Sequence, residues 1–394
     1  MKILYYSPHP DLSLHSPSGY GTHMREMIKA FEEAGHEVRP LIVGDLKVAE
    51  AEAAPRLRDR VKPLVPALVW ESARDAALLH RDRRLQITLE DNIQAFGPNL
   101  IYERASFMQC SGVEVAWRLG VRHVLEVNAP YLEERKAFSS GPSLFERKAR
   151  AMERRQLSMT DRAVVVSSTL KDHFMAAHGL PEERFLVVPN AVDPDKIVVH
   201  PDRVHAIKTG YGLTDQFVVG FVGSLFRWHG VDRLIRAAAE LRRRSDGLVV
   251  LIVGDGEIRA ELEALAQSLG VSDIVRFTGN VAHEEVFDHI EAMDACVMPD
   301  SNWYGSPVKL FEYGAMRKPI VAPDNGPVRD VFTPFEDGLV VRNEAELAEM
   351  LRRLMADPEE GARFAGSFHR KVIERHTWRR NAEAVLETLA EAVV

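Results

Sequence analysis

Two α/β domains, each a doubly wound, Rossmann-like parallel sheet covered by helices, are what this sequence predicts, and three observations predict them. The chain has 394 residues, beyond the roughly 250 to 300 at which one hydrophobic core stops growing. Short β-branched or aliphatic runs alternate with helix-length amphipathic segments almost throughout, the pattern of strands joined by helical crossovers. That alternation also comes in two series, the second starting near residue 217, which repeat an architecture without repeating a sequence.

In the first series the strand candidates are KILYYS, EVRPLIV, NLIYER, HVLEVN, AVVVSS and RFLVVPN. After the first of them, Met24, Met27, Ile28 and Phe31 recur at helical spacing and Gly35 stops the helix. The second series reads FVVGFVGS, LVVLIVGDG, IVRFTGN, ACVMPD, KPIVAP and GLVV. Between the two, residues 189–216 are rich in Pro, Asp and Gly and read as an interdomain linker. Expected domains are 1–197 and 198–376, with a final helix, 377–394, crossing back to the first. Ligands of open α/β sheets bind beyond the carboxyl ends of the strands, so two such domains facing a central cleft would carry their chemistry in the loops after the strands.

Composition narrows the class. A net charge of −8 with 46% hydrophobic and 27% charged residues fits a globular protein and argues against a general nucleic-acid binder. The start, MKILYYS, is too short in apolar residues for a signal or a spanning helix, so a cytoplasmic location is expected. Cys110 and Cys296 each lie in apolar segments and read as buried thiols. His9, His15 and His23 lack a metal-ligand spacing, and no metal is expected.

Three glycine-bearing loops follow strands: HSPSGYGTHM with Gly19 and Gly21, VGSLFRWHGV with Gly223 and Gly230, and VGDGEI with Gly254 and Gly256. None is a P-loop. The stretch YGSPVKLFEYGAMRKP adds a helix start, with Ser306 as N-cap and Pro307 at the first helical position. Lys309 then falls in the first turn, where the helix dipole disfavours a cation. An anion held there would resolve the mismatch. Arg227, His229 and Lys309 would supply countercharge and the loop amides fixed donors, which points to a phosphate-bearing ligand. Glu312 lies about 8 Å deeper along the helix. It either takes the ribose hydroxyls of a nucleoside diphosphate or forms an exposed pair with Lys309.

The stretch SPVKLFEYGAMRKPIVA resembles the signature of the retaining glycosyltransferases of GT-B fold, the "glycosyl transferases group 1" or family 4 class. The likeness runs through SGYGTHM, GHEV, VVVSSTLKDHF, VVPNAVDP, FVGSLFRWHGVDRLIRA and VRFTGNVAHEEVFDHIEAMDACVMPD, so it spans nearly the whole chain. The resemblance implies retaining, metal-independent transfer from a nucleotide sugar (UDP- or GDP-linked) to a hydroxyl acceptor without a further cofactor. The first domain would then bind the acceptor and the second the donor. It places Glu312 on the ribose. Tyr304 stands where the family carries a second glutamate, so the amides of Gly305, Ser306, Val308 and Leu310 around Pro307, with Asp300 or Asn302, would meet the donor sugar. Ser224 and His229 stand where the family has an arginine and a lysine, leaving Arg227 and Lys309 as the main cations, with His229 assisting.

On the acceptor side the resemblance puts Asn128 where many members have a histidine. Asparagine positions a hydroxyl but is no base, and the leaving phosphate could take the acceptor proton. Glu126, two residues earlier, and Arg104 with Glu103 line the same side, and Gly19 and Gly21 would approach the donor phosphates or the acceptor. An epimerase of the same architecture and a nucleotide-sugar binder without turnover are the alternatives. Residues 135–155 form a basic helix face, read either as a solvated surface or as a dock on the inner face of an anionic membrane. Base, sugar, acceptor and oligomeric state are not specified by these residues.

Overall fold

The computed structural model describes residues 1–16, 19–48, 65–243 and 247–391. Pro17 and Ser18 of the first glycine-bearing loop, and the last residues of the final helical stretch, lie outside them. The chain divides into two compact units, Met1–Val188 with Trp378–Val394, and Pro189–Thr377.

The first unit holds six parallel strands: β1 (Lys2–Ser7), β2 (Glu37–Ile42), β3 (Leu100–Arg104), β4 (Arg122–Val127), β5 (Arg162–Val165) and β6 (Phe185–Val187). Their order is β2-β1-β3-β4-β5-β6. Burial on both faces explains why β1, β3, β4 and β5 read as near-continuous apolar runs, whereas the edge strand β2 is exposed or half-buried over most of its length. The register sets Arg104 opposite Glu126. In a parallel pair this puts both side chains on one face of the sheet. The Gly19–Glu33 helix follows β1 and buries Met24, Met27 and Phe31. The Ala67–Phe96 helix stops at Gly97, whose φ of 63° suits a residue without Cβ. The Trp378–Glu391 helix belongs to this unit. Trp378 is buried edge-on against the His23 ring at 4.8 Å, and the Arg122 guanidinium donates to the Leu389 carbonyl.

The second unit repeats the plan with β7 (Phe217–Val222), β8 (Leu248–Val253), β9 (Val275–Gly279), β10 (Ala295–Val297), β11 (Ile320–Pro323) and β12 (Leu339–Val341). The order is β12-β11-β10-β7-β8-β9. Alternate residues feed two cores. Val219, Phe221, Val250 and Ile252 pack among Leu234, Leu262 and Leu351 on one face, and Val218, Val222, Val249 and Leu251 pack among Leu310, Phe311 and Phe368 on the other.

Residues 189–216 are not a free linker. The Pro201–Gly210 helix packs Val204 and Ile207 against the second core, and the buried Asp288 accepts the His200 amide at 2.6 Å. The boundary therefore falls at Val188, not at 197. Polar composition signals exposure of one helix face and not detachment of the segment.

Trp378→Ala would empty a buried indole site in the first unit and should lower that unit's stability by about 3 to 5 kcal/mol. Calorimetry should show the first unit's transition moving down while the second unit's stays in place.

Candidate active site

Strand order reverses between β7 and β10, so the crossovers leaving these neighbours run to opposite faces and their loops part beyond the strand ends. The loop after β7 carries Gly223 to Gly230; the loop after β10 leads into the Val308–Ala315 helix. The Asp300 amide donates to the His229 carbonyl at 3.2 Å and ties the two loops together.

Lys309 projects from the first turn of that helix. Its Nζ is shielded from solvent and has no hydrogen-bond partner among the described residues. The ammonium lies 4.2 Å from the centre of the Phe221 ring, whose π face gives it partial stabilisation. Gly223 makes room for it: with φ of 142°, a Cβ there would stand 2.8 Å from Lys309 Nζ. Burial drives the Lys309 ammonium down to about 7, against the opposing pull of Glu312. Burial likewise raises the Glu312 carboxyl to about 7, against Lys309. The two groups sense one another yet form no ion pair. A shielded cation and a half-buried carboxylate one turn apart, with no ion pair between them among the described residues, can chemically receive an anion at one and hydroxyl donors at the other.

The capping expected of Ser306 is not what the structure shows. Pro307 is the N-cap residue, with φ −76° and ψ 118°, and no side chain caps the helix. Ser306 is drawn away because its Oγ accepts the Asn190 amide at 2.9 Å. The Gly305 amide is committed to Asn302 Oδ1 at 2.7 Å, and the Leu310 amide to the Pro307 carbonyl at 3.2 Å. Of the amides expected to serve a ligand, that of Val308 at the uncapped start is the best placed. Tyr304 meets Trp303 edge-on at 5.2 Å.

Two of the three expected cations are otherwise engaged. Arg227 is exposed and pairs with Glu261 at 2.7 Å. His229 is pushed down to about 4, first by burial and then by Lys309, so it is neutral near pH 7. Its Nδ1 donates to the Ser224 carbonyl at 2.6 Å, which leaves Nε2 as an acceptor. The glycines of the neighbouring loops shape the backbone. Added Cβ atoms at Gly254 and Gly256 would stand 2.2 Å from the Gly223 carbonyl oxygen and 2.6 Å from the Leu225 amide nitrogen. The Gly223 amide donates to Val253 and that of Gly256 to Asp255.

In the first unit the sequence-derived residues meet at one carboxylate. Glu126, fully buried at the end of β4, accepts from Tyr102 Oη at 2.7 Å, Arg104 Nη1 at 2.7 Å and Asn128 Nδ2. His23 Nε2 lies 2.9 Å from Oε2, the oxygen that Tyr102 also reaches. Burial pushes this carboxyl up, but His23, Arg104 and Tyr102 outweigh it and hold it well below the usual carboxylate range. A carboxylate only accepts, so the Asn128 amide must turn its NH2 inward, which leaves its carbonyl oxygen as the free acceptor. Glu103 is directed elsewhere, to His123 Nε2 at 2.8 Å. Gly21 packs where a Cβ would strike the Ser16 carbonyl at 2.2 Å, whereas Gly19 is unobstructed. His23 and Tyr102 were missed from the sequence as partners of Glu126. For His23 the available signal was its place in the first turn after the glycine loop. Among the described residues no group of three His, Cys, Asp or Glu side chains could hold a metal ion.

Two family models match: "Glycosyltransferase Family 4" over residues 17–196 and "Glycosyl transferases group 1" over 206–368. Alpha-D-kanosaminyltransferase from Streptomyces kanamyceticus is 31% identical over 63% of this chain and 64% of its own length. The 2-deoxystreptamine glucosyltransferase of the same organism is 27% identical over 77% of this chain and 78% of its own. A GDP-mannose-dependent alpha-(1-6)-phosphatidylinositol monomannoside mannosyltransferase from Mycobacterium tuberculosis is 29% identical over 58% of this chain and 62% of its own. The matches to these curated relatives thus span from 62% to 78% of the relatives' lengths. Among solved structures, Anabaena HepE in complex with UDP superposes with a TM-score of 0.75 at 18% identity, covering 99% of this chain and 100% of that one.

Lys309→Met removes a buried cation and should raise the melting temperature of the ligand-free protein by several degrees at pH 6. There both folded and unfolded wild-type chains carry the proton, and the full cost of burying it applies. The gain should shrink as pH rises from about 7 toward 10, where the wild-type fold sheds its proton and gains stability. Glu126→Ala should cost roughly 3 to 5 kcal/mol, because Arg104 is left buried without its counterion; denaturant titration of the first unit measures it.

Proposed function

The chain belongs to the group 1 glycosyltransferases of GT-B architecture, and from that premise we propose that it transfers a sugar from a nucleoside-diphosphate sugar to a hydroxyl acceptor. In this reading transfer retains anomeric configuration and needs no metal. The second unit binds the donor and the first the acceptor.

The observation that carries this reading is the unpartnered Lys309 ammonium at an uncapped helix start, with Glu312 one turn deeper. A diphosphate there restores a counterion to Lys309, and its ribose hydroxyls donate to Glu312. The departing diphosphate gains negative charge as the glycosidic bond breaks, and a preorganised cation in a dry site stabilises that charge more than it stabilises the ground state. Lys309 does this work without a divalent ion. Neutral His229 presents Nε2 as an acceptor to a donor hydroxyl, or takes a proton when the diphosphate arrives. In the first unit Asn128, locked by Glu126, offers its carbonyl oxygen to the acceptor hydroxyl, whose proton passes to the leaving phosphate. The GDP-mannose dependence named for the mycobacterial relative supports nucleotide sugars as the first donors to test.

UDP or GDP should raise the melting temperature in a thermal-shift screen. Glu312→Ala should weaken nucleotide binding at least tenfold, while Lys309→Ala should slow transfer by about 10²- to 10³-fold. Unchanged affinity in Glu312→Ala would remove the ribose assignment. Free nucleotide should appear only when an acceptor is added, which separates transfer from epimerisation and from binding without turnover. Excess chelator should leave the rate intact, and the anomeric proton coupling of the product reads the stereochemistry. Nucleotide affinity should peak near neutral pH. It falls above about 7 as Lys309 loses its proton, and falls below about 7 as Glu312 gains one.

A further inference from the structure

The basic segment singled out in the sequence has a definite surface. In the Glu146–Met159 helix, Arg147, Lys148, Arg150 and Arg154 are all exposed. At 100° per residue they fall, with Arg155, on one arc of roughly 160°. No carboxylate of the helix shares that arc. Glu153 turns to His178 at 2.7 Å, and Glu146 lies on the same side as Glu153, about 40° beyond Arg150. Arg155 is neutralised by Glu114, but the other four enter no ion pair among the described residues. Four unpaired cations on one helix face are conspicuous in a chain of net charge −8.

Apolar side chains stand beside this arc. Leu144, just before the helix, is 76% exposed, and Leu68 and Val69, at the start of the Ala67–Phe96 helix, are 41% and 55% exposed. They share one edge of the first unit. The Leu144 amide donates to Ser72 Oγ at 3.0 Å, and a Cβ on Gly141 would stand 2.9 Å from that of Ala67. A solvated face alone accounts for the arginines but not for three exposed aliphatic residues beside them. Cations flanking a protruding apolar edge match a bilayer whose anionic headgroups meet the arginines while the leucines and valine enter the acyl boundary.

The geometry points to this edge of the first unit as a docking surface for an anionic lipid bilayer. Docking is peripheral, because no helix among the described residues is long and apolar enough to cross a membrane. It does not depend on the sugar-transfer reading, whose residues lie elsewhere.

The full chain is sedimented with vesicles of phosphatidylcholine alone and of phosphatidylcholine carrying about one-third phosphatidylglycerol. Binding should be confined to the anionic vesicles and should fall steeply between about 0.05 and 0.5 M salt. The combined variant Arg147→Glu, Arg150→Glu and Arg154→Glu should lose binding at least tenfold, since each basic residue near the surface contributes roughly fivefold. Leu144→Ser should weaken binding without changing its salt dependence, because it removes apolar surface and leaves the charge unaltered. Circular dichroism confirms that the variants are folded, and the wild-type salt titration stands without them. Absence of binding, equal binding to both vesicle types, salt-insensitive binding, or undiminished binding by the folded triple variant would each overturn the proposal. So would tighter binding of duplex DNA than of anionic vesicles. Nucleotide-induced thermal shifts, measured on the same variants, should be unchanged and keep this result separate from donor binding.

Discussion

The second unit's chemistry depends on one constraint of parallel sheets. Crossovers are right-handed, so where strand order reverses between β7 and β10 the connections must leave to opposite faces. The parted loops cannot pair with one another along their length. They are held instead by a few contacts, such as the Asp300 amide on the His229 carbonyl. Gly254 and Gly256 let the loop after β8 lie directly on the loop after β7, and Gly223 lets a lysine tip enter where any side chain would collide. The site is therefore made of backbone approach as much as of side chains.

At that site the fold keeps two charges poorly compensated. Lys309 has the Phe221 ring but no hydrogen-bond partner, and Glu312 is near enough to be felt but not to pair. Closing the distance would quench both groups and leave nothing for a ligand to satisfy. In the proposed reading, a stability cost at the site is what would give a diphosphate and a ribose their differential interaction energy.

The first unit shows the opposite economy. Glu126 sits at the penultimate position of a strand, β4, yet it is surrounded by His23, Tyr102, Arg104 and Asn128. A carboxylate so completely engaged is rigid and strongly acidic, suited to orienting Asn128 and not to exchanging protons. One unit thus holds a poised charge pair and the other a fixed scaffold.

Most local patterns were legible in the residues. The strands among the described residues were readable chiefly because most of them, buried on both faces, are continuous apolar runs, and the helix after β1 was readable through its Met24, Met27, Ile28 and Phe31 spacing and its Gly35 stop. The three- and four-residue geometry that puts Lys309 at a helix start and Glu312 one turn on is equally local. Tertiary structure alone decided which of those groups are available. Ser306 is a good cap by sequence, but Asn190, over a hundred residues away, claims its hydroxyl; Arg227 is claimed by Glu261; His229 is made neutral by burial beside Lys309. Likewise, residues 189–216 look like a linker until Asp288 and the second core receive them. Periodicity and turn chemistry act over a few residues and are written in order along the chain. Charge state, hydrogen-bond partnership and burial depend on neighbours that only folding brings together.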